Sequence, residues 1–482
     1  MFLRRLGVSI ASRQRFAALT QARTFSAASS ASSEEVKLLE DLLRRAKERE
    51  IEVANNSAAQ EDVLPGPKFT VGTFNALSAE GLKTFPSHKY EFTPLADNPD
   101  AEAHAILLRS HKLDNLQVPE SVRAVARCGS GTNNVCTAEL TERGIPVFNT
   151  PGSNANAVAE LVLCSLLLAS RGIYEGINHV QKIFEEDGDD APKVKKRVEA
   201  EKKMFVGQEL AGKTLGVIGL GKIGTTIANA VGGLGMNVIG YDPSLSLDAA
   251  WSLRGESVQR AGSIQELLAN SDGITLHVPY MEATHHLMGA DEFASMKPGA
   301  NLMNFSRAEL VDSASLRAKM DQGAFAGKYI CDFADEWLHD HPRAILLPHL
   351  GASTGEAESN SASMAADAII NFIEYGNIKN SVNFPNMEFQ RQSTGPIFCC
   401  SHENRSGLLN QITSVFANQG VNIVQQRNAS RGDAIAYTVV EASEDAYDMV
   451  EHLNDALLNC EGMKSSRVLF SDGRIGGYAV KH

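Results

Sequence analysis

The chain has 482 residues, 43% hydrophobic and 21% charged. At about 100–200 residues per domain, that is room for two to four ordinary globular cores. It carries 45 Lys and Arg against 58 Asp and Glu, a formal charge of -13, and an acidic surface repels phosphate backbones, which excludes a general nucleic-acid binder.

An anionic substrate would therefore need cations gathered in one site against the global field. No run of about 20 apolar residues is present, so no membrane partner is expected. Seven scattered cysteines without a CxxC point to a reducing compartment, with no disulfide scaffold and no metal site.

Up to Ser33 there is no acidic residue, while Arg4, Arg5, Arg13, Arg15 and Arg23 stand among serines and alanines. Residues 1–33 read as an organelle transit peptide, mitochondrial with a processing site after Phe25; plastid peptides share this composition. Val36, Leu39, Leu43 and Ala46 then fall at helical spacing, so 34–67 reads as a surface helix and linker ending in Pro65-Gly66-Pro67.

From Phe69 onward short apolar strands alternate with helices, which predicts a mostly parallel sheet with ligands at the carboxyl ends of its strands. Arg109 and Ser110 follow the strand 105–108, Arg127 closes the strand 124–126, and 157–170 reads as a long buried helix. Two arginines at such ends are candidate anion ligands.

The next strand runs into Gly219-x-Gly221-x-x-Gly224, and a helix follows. The first glycine allows the turn, the second lets a diphosphate approach the backbone, and the third lets helix and strand pack. Asp242 ends the following strand, where it can bind both ribose hydroxyls of NAD and repel the 2′-phosphate of NADP. Three more strands follow at 273–279, 301–305 and 329–333. His277 on the first of them reads as a core or loop histidine.

Oxidising an alcohol carbon by hydride transfer needs a base for the hydroxyl proton and a cation to polarise the forming carbonyl. Histidine suits the first role and arginine the second, with a carboxylate to fix the imidazole. Arg307, Glu336 and His349 supply that set, each beside a strand end or turn.

The runs Asn304-Phe-Ser-Arg-Ala-Glu-Leu-Val-Asp312 and Leu347-Pro-His-Leu-Gly-Ala-Ser-Thr354, with the glycine fingerprint, resemble the D-isomer-specific 2-hydroxyacid dehydrogenases. Asn377-Ile-Lys-Asn-Ser-Val-Asn-Phe-Pro385 supports a resemblance to the branch that oxidises 3-phosphoglycerate in serine biosynthesis; the alternatives are a hydroxypyruvate/glyoxylate- or lactate-type member of the same family, or a dinucleotide-sensing binding protein. The resemblance implies two Rossmann-like doubly wound α/β domains with NAD as cofactor. Residues 68–156 and 352–385 would form a discontinuous substrate-binding domain and 157–351 the NAD-binding domain.

It also implies catalytic roles for Arg307, Glu336 and His349, and substrate contacts at Arg109, Ser110, Arg127 and Arg307. Cofactor contacts fall on Gly219, Gly221, Lys222, Ile223, Gly224, Asp242, Ser130, Val278, Phe305, Ser306, Arg307, His349, Gly351 and Ala352. Where the family reads Asp-Val-Phe-x-x-Glu-Pro, this chain has Cys331-Asp-Phe-Ala-Asp-Glu-Trp337; registering on the phenylalanine selects Glu336, with Asp335 as its rival. Ser130 and Val278 stand where threonines are common, and Ala308 replaces a usual glycine.

Residues 386–395 read as a polar linker. From 396 to 474 the pattern strand, helix, strand, strand, helix, strand resembles an α+β ACT domain, a small-molecule regulatory module. His402, Asn404 and Asn422 match the effector loops of the serine-responsive kind, with Ser406 replacing a frequent proline. The resemblance implies an L-serine effector and a homodimer or homotetramer; the alternative is an assembly module that binds nothing.

Overall fold

The computed structural model describes residues 68–188, 190–254, 258–432, 434–471 and the backbone of 475–480. The transit-peptide and 34–67 helix assignments lie outside these residues.

Five short strands open the described chain: β1 (Phe69–Thr73), β2 (Tyr90–Pro94), β3 (Ala105–Leu108), β4 (Ala124–Arg127) and β5 (Val147–Phe148). They form an all-parallel sheet in the order β2-β1-β3-β4-β5. β3 is Ala-Ile-Leu-Leu and buried at every position, as expected of a strand covered on both faces.

The chain then crosses to a second parallel sheet of seven strands: β6 (Thr214–Ile218), β7 (Asn237–Tyr241), β8 (Val258–Arg260), β9 (Gly273–Leu276), β10 (Asn301–Asn304), β11 (Tyr329–Cys331) and β12 (Ala344–Leu346). Its order is β12-β11-β10-β9-β6-β7-β8. The direction of winding reverses between β6 and β9, and a ligand crevice belongs at the carboxyl ends of those two strands.

Two helices tie the sheets together. Ala155–Arg171 leaves the first sheet and buries Val158, Val162 and Leu166 against Leu215, Val217 and Met303 of the second. Gly355–Tyr375 returns: Ala362, Ala366, Ile369 and Phe372 pack on Val71, Leu107, Ala124 and Phe148 of the first. The first domain is thus built from two stretches of chain. The charged stretch 185–203 spans the end of helix Ile173–Asp187, helix Ala191–Glu201 and the start of the turn after it. The turn after them ends against the amino ends of β6, β9 and β10, where Met204 and Phe205 line a cavity with Lys213, Asp272 and Asn301. That is the edge opposite the crevice. Among the described residues no single helix is long and apolar enough to cross a membrane.

The tail forms an antiparallel sheet from β13 (Ile397–His402), β14 (Ile423–Arg431), β15 (Ile435–Ala442), β16 (Met463–Leu469) and β17 (Ile475–Val480), in the order β14-β15-β13-β16-β17. β17 is one strand more than the sequence pattern indicates. Helices Leu408–Asn418 and Val450–Leu458 cover one face through Phe398, Cys400, Ile412, Phe416 and Leu453.

The opposite face is also covered. Ile397, Cys399, Tyr437 and Leu469 join the core that surrounds Gly355–Tyr375. Arg467 is buried, donates to the carbonyl oxygens of Phe372 and Ile373, and lies 3.9 Å from the centre of the Phe372 ring.

The expected linker 386–395 is corrected accordingly. Met387 and Phe389 are buried in the same core, and the buried Glu441 carboxylate accepts the N–H groups of Gln392 and Ser393. The segment is fastened rather than free, because apolar side chains and a carboxylate both hold it.

Candidate active site

The glycine loop sits at the winding reversal. Gly219 has φ +90, and a Cβ there would meet the His277 carbonyl oxygen at 2.6 Å. A Cβ on Gly224 would fall on the Gly219 carbonyl oxygen, whereas one on Gly221 would meet nothing within 4 Å. The loop is therefore tight where it packs and open where a ligand approaches. Helix Lys222–Val231 starts here, and Thr225 donates to the Gly221 carbonyl at 3.0 Å. The N–H groups of Lys222, Ile223 and Gly224 precede it; by helix geometry they lack partners within the helix and are donors for a diphosphate.

Asp242, at the end of β7, accepts Leu220 N–H at 2.8 Å on one oxygen and Ser244 N–H at 2.8 Å on the other. It braces the glycine loop from the strand end where the sequence places the ribose-binding acid. A carboxylate has about four lone-pair sites, so both hydroxyls can still be accepted.

At the end of β10, buried Asn304 accepts Ser306 N–H at 3.1 Å and donates to the Arg307 carbonyl at 2.8 Å. Ser306 Oγ donates to the Val278 carbonyl at 2.8 Å. Phe305 is buried behind them. This turn fixes the backbone of Arg307, whose guanidinium reaches across the cleft to Gly131 of the first domain.

There it meets the other cations. Burial lowers the pKa of Arg127, and the charges of Arg109 and Arg307 lower it further, so the three guanidinium groups share one field. Arg127 Nε donates to the Arg109 carbonyl at 3.1 Å, and Asn134 Nδ2 to the same oxygen at 3.1 Å. Asn75, at φ +69, accepts the N–H groups of Ser110 at 3.2 Å and His111 at 2.7 Å. Ser130 is exposed on the neighbouring loop, its carbonyl accepting from Asn149 at 2.7 Å.

His349 follows β12 and is exposed, 6.1 Å from the Phe333 ring between centroids. The charge of His349 acts on the buried carboxylate of Asp332, and among the described residues no hydrogen bond or ion pair joins His349 to Asp332 or to the expected Glu336. Asp332 is 2% exposed; Oδ2 accepts Gly351 N–H at 3.1 Å and Oδ1 has no partner. Burial raises its pKa, while the charge of His349 and the Gly351 N–H pull it down. Gly351 is held from the other side by Asn154 Nδ2 at 3.4 Å. Ala352 completes that turn.

Glu336 instead lies exposed, lining a surface hollow with Ser313, Trp337 and His339. Its rival Asp335 caps the local turn, accepting Ser313 Oγ at 2.5 Å and Trp337 N–H at 2.9 Å. His277 is satisfied by Thr275 Oγ1 at 2.7 Å, and burial lowers its pKa.

The residues fit a dinucleotide: an open glycine cradle, an acid at the ribose position, and an unpartnered buried oxygen at the reacting end.

A family model described as D-isomer specific 2-hydroxyacid dehydrogenase, NAD binding domain, matches residues 178–351. D-3-phosphoglycerate dehydrogenase of Escherichia coli strain K12 is 33% identical over 383 residues, 77% of this chain and 87% of that protein. This chain belongs to the D-isomer-specific 2-hydroxyacid dehydrogenases. A putative D-3-phosphoglycerate dehydrogenase of Schizosaccharomyces pombe is 32% identical over 396 residues, 76% of this chain and 79% of that one. Among solved structures, the NAD+-bound 3-phosphoglycerate dehydrogenase of Entamoeba histolytica superposes with TM-score 0.50 at 23% identity, over 65% of this chain and 99% of that one. Rhodotorula graminis D-mandelate dehydrogenase gives TM-score 0.52 at 24% identity, over 65% and 97%. These two likenesses speak for the dehydrogenase fold alone.

In the tail module the proposed effector residues do not converge within one chain. His402 is 2% exposed; Nδ1 donates to the Glu403 carbonyl at 2.8 Å and Nε2 is bonded to Thr438 Oγ1 at 2.7 Å. Asn404 donates to the Gly432 carbonyl at 3.0 Å, just beyond one end of β14, and Asn422 precedes the other end. At about 3.3 Å per residue the nine-residue strand separates them by about 30 Å.

Proposed function

We propose that the chain oxidises 3-phospho-D-glycerate to 3-phosphohydroxypyruvate with NAD, the entry into serine biosynthesis. The observation that carries this reading is the cluster of Arg109, Arg127 and Arg307. A monoanionic hydroxy acid needs one such group, whereas a carboxylate plus a phosphate calls for several. The relatives named D-3-phosphoglycerate dehydrogenase point the same way.

NAD supplies the hydride acceptor when bound. Arg307 grips the substrate carboxylate and draws electron density from the forming carbonyl. His349 takes the hydroxyl proton, and a carboxylate steadies the imidazolium that results: Glu336 by the family register, with the buried charge of Asp332 close enough to act on His349. Arg109 and Arg127 bind the phosphate end. NADH formation with 3-phosphoglycerate, compared with D-glycerate and D-lactate, tests the assignment; equal rates with all three would reject it.

The tail is proposed to bind L-serine and slow the enzyme. The resemblance of its loops supports this, and so does the packing of its sheet on the helix that starts beside His349. With about 30 Å between Asn404 and Asn422 along β14, a ligand touching both would bridge two chains. Calorimetry that detects no serine binding at millimolar concentration would reject the effector role. Exposed Ile173, Ile177 and Phe184 on one helix support a homo-oligomer. The acid-free, arginine-rich 1–33 supports mitochondrial import. A fluorescent reporter fused after Ser33 that stays cytosolic or enters plastids would reject it.

A further inference from the structure

Arg109 does not wait in the cleft without a partner. Its Nη1 lies 2.6 Å from Glu358 Oε1, with the two side chains 36% and 41% exposed. Glu358 sits in the first turn of helix Gly355–Tyr375, the helix that leaves the His349 loop. Among the described residues it is the one carboxylate that an ion pair joins to the arginine cluster. The backbone of Arg109 is fixed by Arg127 and Asn134. Its long side chain is therefore the part free to change partners.

Building on the reading that the substrate is a phosphorylated 2-hydroxy acid, we propose that Glu358 is the resident counter-ion of Arg109, displaced by the substrate's phosphate, and is thereby a specificity-determining residue. In any 2-hydroxy acid the carboxylate is bonded to the reacting carbon, so it must be served from beside His349, by Arg307. A phosphate on the next carbon lies farther out and falls to the opposite wall, where Arg109 stands. A phosphate monoester brings about -1.5 to -2 charge at pH 7 and two or more oxygens for a guanidinium fork, which makes it the stronger partner.

The displaced carboxylate is not stranded. It remains partly in water and near the positive end of a 21-residue helix, where negative charge is favourable. A substrate without the outer anion has nothing to offer Arg109 and leaves the pair closed. The cluster is then one cation poorer for it.

Glu358→Gln removes the competing charge and keeps the shape. The test is steady-state kinetics of the full chain with NAD, using 3-phosphoglycerate and D-glycerate in parallel. An exposed pair of this kind is modest, so the KM for 3-phosphoglycerate should fall about two- to fivefold. The kcat for that substrate and the KM for D-glycerate should stay unchanged. In an Arg109→Ala background the same substitution should have no effect on KM, which ties the gain to this pair rather than to the helix. A KM for 3-phosphoglycerate that rises or stays put, or a D-glycerate KM that falls equally, overturns the counter-ion role. A wild-type chain that uses D-glycerate as well as 3-phosphoglycerate overturns instead the reading of the substrate beneath it.

Discussion

The three glycines of the nucleotide loop should fail in different ways when each is changed to alanine. At Gly221 φ is -69 and ψ is -162, ordinary extended backbone, and a Cβ meets nothing within 4 Å. The folded chain should tolerate it, and the reduced freedom of the unfolded chain favours it by about 0.4–1 kcal/mol. The methyl group, however, stands where a diphosphate must approach, and one methyl-sized misfit is worth about 10–200-fold in affinity. At Gly224 the Cβ falls on the Gly219 carbonyl and also lies 3.2 Å from Val217 Cγ1. Backbone cannot yield cheaply, so helix and strand must part, at about 1–3 kcal/mol or more. Gly219→Ala adds a left-handed backbone, costing roughly a further 1–2 kcal/mol, to a 2.6 Å approach to the His277 carbonyl oxygen. Thermal melts without NAD, beside fluorescence titration with NAD, separate the two effects. Gly221→Ala should melt at or slightly above wild type and bind NAD weakly; Gly224→Ala and Gly219→Ala should melt lower. A Gly221→Ala chain with wild-type affinity, or a Gly224→Ala chain with wild-type stability, would refute the geometry of the cradle.

His349→Ala should lose roughly 10²–10⁴ in kcat with NAD affinity kept, and near-normal turnover would remove it as the base. Burial raises the folded-state pKa of Asp332 above its unfolded value. Its contribution is therefore fully favourable only below the unfolded pKa and is lost as pH rises through the folded one. Asp332→Asn, which can still accept Gly351 N–H, should then keep or raise the melting temperature at neutral pH while lowering kcat. A lower melting temperature with unchanged kcat would leave Asp332 only as the acceptor for Gly351, and a larger kcat loss in Glu336→Gln than in Asp332→Asn would assign the catalytic carboxylate to Glu336. Asp242→Ala should narrow the preference for NAD over NADP and, by stranding Leu220 N–H, cost about 1–3 kcal/mol of stability. Unchanged cofactor discrimination would show that Asp242 only braces the loop.

The strands visible in the sequence are those buried on both faces, such as β3, β6, β9 and β10. Those that escape it are β2, β8, β12 and β17, and each lies at an outer edge of its sheet. An edge strand need bury only part of itself, so β2 reads Tyr-Glu-Phe-Thr-Pro with only Tyr90 buried, and no apolar run announces it. Charged residues at strand ends were legible for a local reason: a short apolar run and the residue after it suffice to place Arg109, Arg127 and Arg307. Long-range partners leave no such mark. Nothing near Arg109 in sequence indicates Glu358, and nothing near Ser110 indicates Asn75. Asp332 escaped notice as a charge near His349 because a register fixed on Phe333 puts it in the place of a hydrophobic residue. The structure turns Asp332 inward, where the N–H of Gly351 needs an acceptor.

The tail shows how one unseen contact changes the reading of several residues. A sheet with helices on one face should have alternating strands, yet all six residues of β13 are buried. Phe398 and Cys400 face the module's own helices, while Ile397 and Cys399 face the core around Gly355–Tyr375. The last residue of the strand, His402, falls by alternation on the face of Phe398 and Cys400; it is buried, and that burial lowers its pKa. Both its ring nitrogens are engaged, with Glu403 and Thr438, at a strand end braced by Asn428 through the same threonine hydroxyl. A ligand seeking this imidazole must first break those bonds, whereas Asn404 and Asn422 remain exposed. The module's own packing thus withdraws one of the three expected effector residues from reach and leaves the other two at opposite ends of an edge strand.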